Sequence, residues 1–147
     1  MKKLRIGLVC PYGWDTPGGV QNHVRDLAEF FIAEGHYVSV LAPVTDEFDL
    51  PDYLVNAGKP TGIPFNGAVA RLLFSPAAFA RVRNWLLEND FDILHLHEPA
   101  VPSISLLALW ASEGPIIGTF HAQTKKGATT RAVSYTHLRA HETKANL

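Results

Sequence analysis

The apolar run from Leu4 to Cys10 constrains the fold of this chain more than any other feature. A nearly continuous apolar run of this length is typical of a strand that is covered on both faces of a sheet. A loop rich in proline and glycine follows from Pro11 to Gly19, and apolar residues then recur at helical spacing from Val20 to Ile32. Gly35 is suited to end that helix as a C-terminal cap. Strand, loop and helix together predict the first unit of a parallel α/β sheet.

The rest of the chain repeats this alternation. Further elements are expected as strands at Tyr37–Ala42, Asp92–His97 and Ile116–His121, and as helices that begin after the N-caps Ser75 and Ser103 and end near Asn89 and Gly114. Between residues 44 and 69 many prolines and glycines interrupt the pattern, and only short strands are expected, near Tyr53–Asn56 and Gly62–Phe65; Ala70–Phe74 is expected as a further strand. The order of elements predicts a doubly wound, Rossmann-like, mostly parallel sheet.

Composition limits the class of protein. The 147 residues are 47% hydrophobic and suffice for one domain with a core, but not for two. The formal net charge of −1 argues against general nucleic-acid binding, so any anion site must be local. Cys10 is the only cysteine, which excludes an intrachain disulfide and favours a reducing, cytoplasmic compartment. No apolar run is long enough for a membrane-spanning helix.

The loop before the first helix is the most informative candidate site. Ligands of open parallel sheets bind beyond the carboxyl ends of the strands. Gly18 and Gly19 lie there, directly before a helix whose free N–H groups and dipole attract phosphate. The alternative is that the two glycines only shape a tight turn. The loop lacks GxGxxG and a Walker lysine, and Ala42-Pro43 stands where a dinucleotide site needs an acidic residue, so an NAD enzyme is disfavoured.

Histidines end two of the predicted strands. His121 is either structural or in contact with a ligand at the same edge of the sheet, and His97 with Glu98 presents a similar case. His95 and His97 share one face of their strand by alternation. A metal site there would need a third ligand that the sequence does not identify, so satisfied core histidines are favoured and no metal site is expected.

Several segments together resemble a known family. They are CPYGWDTPGGVQNHVRDLAEFF, AEGHYVSVLAP, LPDYLV, GIPFNGAVARL, FDILHLHEPAVPSISLLAL and EGPIIGTFHAQT. From Leu4 to Thr124 the chain resembles the N-terminal lobe of a family 4 glycosyltransferase. Within that family it is most similar to the actinobacterial enzymes that mannosylate phosphatidyl-myo-inositol.

The resemblance implies one lobe of a two-lobed GT-B enzyme. Such an enzyme transfers mannose from GDP-mannose, or a sugar from another nucleotide sugar, to a lipid or polyol acceptor, here the inositol ring of a phosphoinositide. It retains the anomeric configuration and needs no metal or other cofactor. Two alternatives stay open: a family member that acts on another acceptor, and a non-catalytic domain that binds phosphate or a sugar phosphate.

Matching positions carry the family's site residues onto this chain. The resemblance assigns the donor diphosphate to Gly18 and Gly19, the transferred sugar at the reaction centre to His121, and the acceptor to Tyr12, Gln21, Asn66, Arg71 and Lys126. It also implies a peripheral contact with an anionic membrane, at the inner face of the plasma membrane, through the helix after Ser75. That helix is more basic in the mycobacterial relatives. Here it keeps only Arg81 and Arg83, which on sequence alone are better read as part of a solvated face.

The final segment has a different character. Residues 132–147 have no core pattern that continues the fold, and VSYTHLRAHET resembles translated sequencing-adapter read-through. We therefore expect residues 1–131 to form a truncated glycosyltransferase lobe and residues 132–147 to be a non-native tail. Because the donor lobe would be missing, the chain alone is expected to be inactive.

Overall fold

The computed structural model describes residues 1–65 and 67–121, with the backbone alone at positions 65 and 68. Its elements follow the chain in this order: β1 Arg5–Val9, α1 Gly19–Ala33, β2 Tyr37–Ala42, β3 Leu54–Asn56, β4 Thr61–Phe65, β5 Ala68–Leu72, α2 Pro76–Asn89, β6 Ile93–His97, α3 Ile104–Ala111 and β7 Ile116–Thr119.

Five of the strands form one parallel sheet in the order β3-β2-β1-β6-β7. The chain first adds strands on one side of β1, then returns to add β6 and β7 on the other side. The strand order therefore reverses between β1 and β6, where Val9 pairs with Leu96. Ligands of open α/β sheets bind at the carboxyl side of such a switch point.

Helices cover both faces of this sheet, as the predicted doubly wound fold requires. Leu8 and Val9 are adjacent in β1 and both wholly buried, but they belong to different hydrophobic clusters. Leu8 packs in the cluster that includes Val24 of α1, and Val9 in the cluster that includes Val82 of α2 and residues of α3. Burying each such side chain contributes about 1.5–3 kcal/mol. The continuous apolar run of β1 is thus explained by burial on both faces.

The helix ends follow the capping residues of the sequence. After α1, Gly35 adopts a φ of 89°, and the His36 N–H donates to the carbonyl of Phe31 at 3.0 Å, which is the expected glycine C-cap. Ser75 accepts a hydrogen bond from the N–H of Ala78 at the start of α2. Helix α3 ends at Ala111 rather than near Gly114, because Ser112 is already extended.

Strands β4 and β5 form an antiparallel hairpin that is separate from the main sheet. The chain reverses at Gly67, whose φ of 78° suits glycine. Strand β5 ends at Leu72, two residues before the predicted end at Phe74, because Leu72 pairs with Thr61, the first residue of β4. The hairpin docks on the loop after β1 through the N–H of Gly13, which donates to the carbonyl of Arg71 at 3.0 Å. Among the described helices, none is both long and apolar enough to cross a bilayer.

Candidate functional site

The carboxyl ends of β1, β6 and β7 meet the N-terminus of α1 at the switch point of the sheet. The ring of His23, on α1, packs edge-on against His97 at 5.6 Å between centroids and against His121 at 5.4 Å. The glycine loop, defined as Pro11–Gly19, and the histidine row, defined as His95, His97 and His121, therefore belong to one site. His23 was not predicted from the sequence, although its i+4 position from Gly19 places it on the same end of α1.

Buried polar contacts hold the glycine loop in place. Gln21 is buried, and its side-chain amide donates to the carbonyl of Gly13 at 3.2 Å. The N–H of Trp14 donates to the carbonyl of Pro43 at 2.8 Å. The guanidinium of Arg25 donates to the carbonyl of Trp14 at 2.6 Å and lies 4.5 Å from the centre of its ring. The loop is thus tied to both α1 and the end of β2.

The two glycines differ in what they contact. Gly18 is extended and Gly19 begins α1, and neither has the positive φ that favours glycine. A Cβ on Gly18 would overlap the side-chain oxygen of Gln21, so the amide of Gln21 would have to move to accommodate it. A Cβ on Gly19 would meet no described atom within 4 Å. Among the residues that the structure describes, no side chain caps α1, and its first turn contains no acidic residue, so the N–H groups of that turn are available to an anion.

The histidine row is a stack of imidazole rings. The rings of His95 and His97 stack at 4.3 Å between centroids, and those of His97 and His121 at 5.2 Å. His97 Nδ1 and His121 Nε2 are 2.9 Å apart, and His95 Nε2 lies 2.7 Å from the hydroxyl of Thr119. His97 is wholly buried, whereas His121 is exposed two residues beyond the end of β7. The row therefore has its most buried ring in the middle, with a half-buried ring at His95 and an exposed one at His121.

The imidazoles of this row are neutral near pH 7. Burial lowers the pKa of His97 to about 3, and the neighbouring imidazoles of the row and of His23 add to the effect. Burial is also the main cause that lowers the pKa of His95 and of His121. For His121 the charge of Glu98 works in the opposite direction without reversing the shift.

Glu98 connects the ends of β6 and β7. Its N–H donates to the carbonyl of Thr119 at 2.8 Å, and its carboxylate accepts the backbone N–H of His121. Glu98 is buried and adopts a φ of 51°, an unusual conformation for a residue other than glycine. Burial, followed by the charge of Glu98, raises the pKa of Tyr12 to about 12, so the Tyr12 phenol stays protonated.

Of the five predicted acceptor residues, three lie in or next to the glycine loop and two lie outside the described residues. Tyr12 is half-buried within the glycine loop, and Arg71 is exposed with its backbone joined to that loop. The side chain of Gln21 turns inward to the loop. Asn66 and Lys126 lie outside the described residues, as does the segment 132–147.

The two arginines of the predicted membrane contact differ in their surroundings. On α2, the guanidinium of Arg81 donates to the carbonyl of Ala57 at 3.0 Å, and Arg83 is exposed.

The prediction that the histidines are satisfied core residues does not hold fully for His97, because its buried Nε2 has no hydrogen-bond partner among the described residues. Within residues 1–65 and 67–121, no three His, Cys, Asp or Glu side chains are grouped to hold a metal ion.

Comparison with known proteins identifies the family. The model of Glycosyltransferase Family 4 matches residues 17–145. A relative from Mycolicibacterium smegmatis is 57% identical over 126 residues, which are 86% of this chain and 33% of the relative. A relative from Mycobacterium leprae is 56% identical, with 86% and 34% covered. One from Propionibacterium freudenreichii is 42% identical, with 82% and 34% covered.

All three relatives are named phosphatidyl-myo-inositol mannosyltransferase. The chain spans about a third of their length. The family model covers most of the chain, and the Rossmann-like sheet is the fold that the family resemblance predicted. The chain therefore belongs to glycosyltransferase family 4.

Proposed function

We propose that this chain is the acceptor-binding lobe of a retaining mannosyltransferase that transfers mannose from GDP-mannose to phosphatidyl-myo-inositol. The observation that carries the proposal is the open N-terminus of α1 at Gly19, beside the histidine row, in a chain whose relatives bear that name. Since the chain spans a third of those relatives, the proposal assigns most of the nucleotide site to sequence that this chain does not contain.

In this proposal the glycine loop stabilises the leaving diphosphate. Negative charge develops on the diphosphate as the sugar departs, and preorganised N–H donors at a helix N-terminus stabilise such charge. Gly19 allows close approach because its missing side chain would project into open space. Gly18 and Gln21 keep the loop in the geometry that exposes those donors.

His121 contacts the transferred sugar in the same proposal. It is the exposed member of the histidine row and lies next to the N-terminal part of α1. The acceptor hydroxyl attacks from the face that the diphosphate leaves, and the departing phosphate takes the hydroxyl proton. That reaction needs no side-chain nucleophile and no metal.

The inositol phosphate binds on the other side of the glycine loop. Arg71 is exposed and anchored through its backbone, so its guanidinium is free to make a bidentate contact with phosphate. Tyr12 directly precedes Gly13, whose N–H donates to the carbonyl of Arg71. The phenol of Tyr12 is protonated and can donate to an inositol oxygen. Asn66 and Lys126 complete the proposed acceptor pocket.

Any contact with an anionic membrane falls mainly to Arg83. The guanidinium of Arg81 is engaged by the carbonyl of Ala57, whereas Arg83 is exposed on the same helix. A polybasic surface contributes about 1 kcal/mol per cation near such a membrane, so one free arginine gives only weak peripheral attachment at the cytoplasmic leaflet.

The decisive experiment places this lobe in a complete enzyme. Residues 1–121 replace the corresponding segment of the Mycolicibacterium smegmatis relative, and transfer of labelled mannose from GDP-mannose to phosphatidyl-myo-inositol vesicles is measured. We expect transfer, and we expect Arg71→Ala to weaken the acceptor interaction roughly 10- to 100-fold, since a hydrogen bond to a charged group is worth about 1.5–3 kcal/mol.

Arg83→Ala is the matched control, because it removes an exposed arginine of α2 that lies outside the proposed acceptor pocket. It should leave the affinity for soluble myo-inositol 1-phosphate unchanged. Equal affinity of the Arg71→Ala variant and the parent would remove the inositol phosphate assignment. Transfer to a different lipid or polyol, with none to phosphatidyl-myo-inositol, would favour another acceptor, and binding without any transfer would favour a non-catalytic domain.

A further inference from the structure

The contact between His97 and His121 fixes where each ring carries its proton. His97 Nδ1 and His121 Nε2 are 2.9 Å apart, so one of these nitrogens donates and the other accepts. A neutral imidazole has a single N–H. Only two arrangements are therefore compatible with neutral rings: either Nδ1 of His97 donates to His121, or Nε2 of His121 donates to His97.

The buried end of His97 distinguishes the two arrangements. Its Nε2 is buried and has no hydrogen-bond partner among the described residues. If His121 were the donor, the proton of His97 would sit on this nitrogen, as a buried N–H without an acceptor. Buried N–H groups without a partner are rarer in proteins than buried acceptors that lack one. The favoured arrangement leaves that nitrogen bare and places the proton of His97 on Nδ1.

A doubly protonated His97 would also satisfy the contact, but its surroundings oppose it. The ring is wholly buried, stacked between two imidazoles and packed edge-on against that of His23. Burial and these neighbours lower the pKa of His97 to about 3. The ring is therefore neutral throughout the physiological range.

We propose that His97 is a positioning residue that fixes the tautomer of His121, so that His121 presents an Nδ1–H donor to its ligand. Nε2 of His121 accepts from His97, and Nδ1 is the ring nitrogen left for the ligand. Glu98 holds the other end of the residue by accepting its backbone N–H. His121 is thus oriented both at its backbone and at its ring.

This assignment limits what His121 can do chemically. With one nitrogen protonated and the other engaged, the ring has no lone pair available to remove a proton from an acceptor hydroxyl. His121 acts as a hydrogen-bond donor and not as a general base. Its ligand must offer an oxygen acceptor at that point, such as a sugar hydroxyl oxygen or a phosphate oxygen; that this oxygen belongs to a transferred sugar rests on the proposed function.

The direct test is the tautomer of His121 in the 147-residue chain labelled with ¹⁵N-histidine, measured by long-range ¹H–¹⁵N correlation near pH 7.5. We expect a proton on Nδ1 of His121 and on Nδ1 of His97. His36 is an internal reference for the opposite tautomer, because its Nδ1 accepts the N–H of Leu4 at 3.1 Å. An Nε2–H tautomer for His121 would overturn the proposal.

Two variants of His97 separate positioning from packing. Asparagine can place its amide N–H near the position of Nδ1, so His97→Asn should keep the Nδ1–H tautomer of His121. His97→Leu fills the space without a donor and should shift His121 toward the Nε2–H tautomer, which free histidine prefers. If both variants retained the parent tautomer, His97 would not be what sets it. If His97→Leu does not fold, the parent spectrum and the asparagine variant still decide the question.

Activity in the chimeric enzyme gives an independent readout. We expect His97→Leu to lower kcat for mannose transfer roughly tenfold or more, since small misplacements at a reaction centre have effects of this size, and His97→Asn to restore much of it. Absence of transfer by the unmodified chimera would count against the proposed function alone, because the NMR result does not depend on it.

Discussion

The glycine loop and the histidine row lie side by side at the carboxyl edge of the sheet, yet they are built differently. The loop offers backbone N–H groups, and the side chain that holds it, Gln21, lies behind it. The row offers one exposed side chain, His121, and the residues that hold it are a buried imidazole and a buried carboxylate. The loop should therefore be sensitive to added volume, and the row should be sensitive to protonation.

The largest expected effect distinguishes the two glycines of the loop. Gly18→Ala should lower the free energy of unfolding by about 1–3 kcal/mol, because the new Cβ displaces the buried amide of Gln21 from Gly13. Gly19→Ala should change it by no more than about 0.5 kcal/mol, because its Cβ enters open space. Urea unfolding of both variants measures the difference.

Stability should depend mainly on Gly18, whereas transfer activity should depend strongly on Gly19. In the chimeric enzyme, Gly19→Ala should reduce transfer roughly tenfold or more despite its normal stability, since the Cβ occupies the approach to the N–H donors. If Gly18→Ala and Gly19→Ala were equally stable, contact with Gln21 would not be the reason for glycine at position 18. Full transfer activity in the Gly19→Ala variant would show that the glycine loop does not bind the leaving diphosphate.

The next effect concerns the protonation of the row. The pKa of His97 is about 3 in the folded chain against 6.5 for the free group, so the unfolded chain binds more protons below pH 6.5. Stability should be full above that pH and fall as the pH decreases from 7.5 to 5.5, by about 1.4 kcal/mol from His97 alone. His95 and His121 are shifted in the same direction and add to the loss. Asp15, whose carboxyl pKa is lowered, titrates below this window.

Urea unfolding at the two pH values measures this loss, and His97→Asn should remove the part that His97 contributes. A parent chain that is equally stable at pH 5.5 and 7.5 would contradict the neutral, buried row. A loss of the same size in the asparagine variant would assign the effect to other groups.

The smallest expected effect comes from the charge of Glu98. Glu98→Gln keeps an oxygen acceptor for the backbone N–H of His121 but removes the charge that raises the pKa of its ring. The pKa of His121 should therefore decrease further, as an NMR titration of its ring protons would show. Glu88→Gln, an exposed carboxylate on α2, is the control and should leave it unchanged. An increase in the pKa of His121 in the Glu98→Gln variant would mean that the carboxylate does not act through its charge.

Much of the fold could be predicted because it follows from local pattern. The apolar run of β1, the caps Ser75 and Ser103, and the glycine after α1 each impose a conformation on their neighbours. The ends of β5 and α3 were predicted less well, because β5 stops where its paired strand β4 begins and α3 stops where Ser112 becomes extended.

The site was predicted only in part. Strand order and period-two alternation place Gly19, His97 and His121 at one edge, as the sequence indicates. The roles of His23 and Gln21 depend on contacts between α1, its preceding loop and β6, which no local pattern encodes. Gly18 and Gly19 are equivalent in the sequence, and only the surrounding atoms distinguish packing at one from open space at the other.

The sequence by itself determined the order of elements, the position of a helix N-terminus after β1 and the family to which the chain belongs, because periodicity, capping and motif spacing are properties of neighbouring residues. Only the tertiary structure decided which nitrogen of His97 meets His121 and which is buried with no partner among the described residues. Protonation and tautomer depend on burial and on groups that the fold brings from distant parts of the chain, and those distances exist only after the sheet has formed.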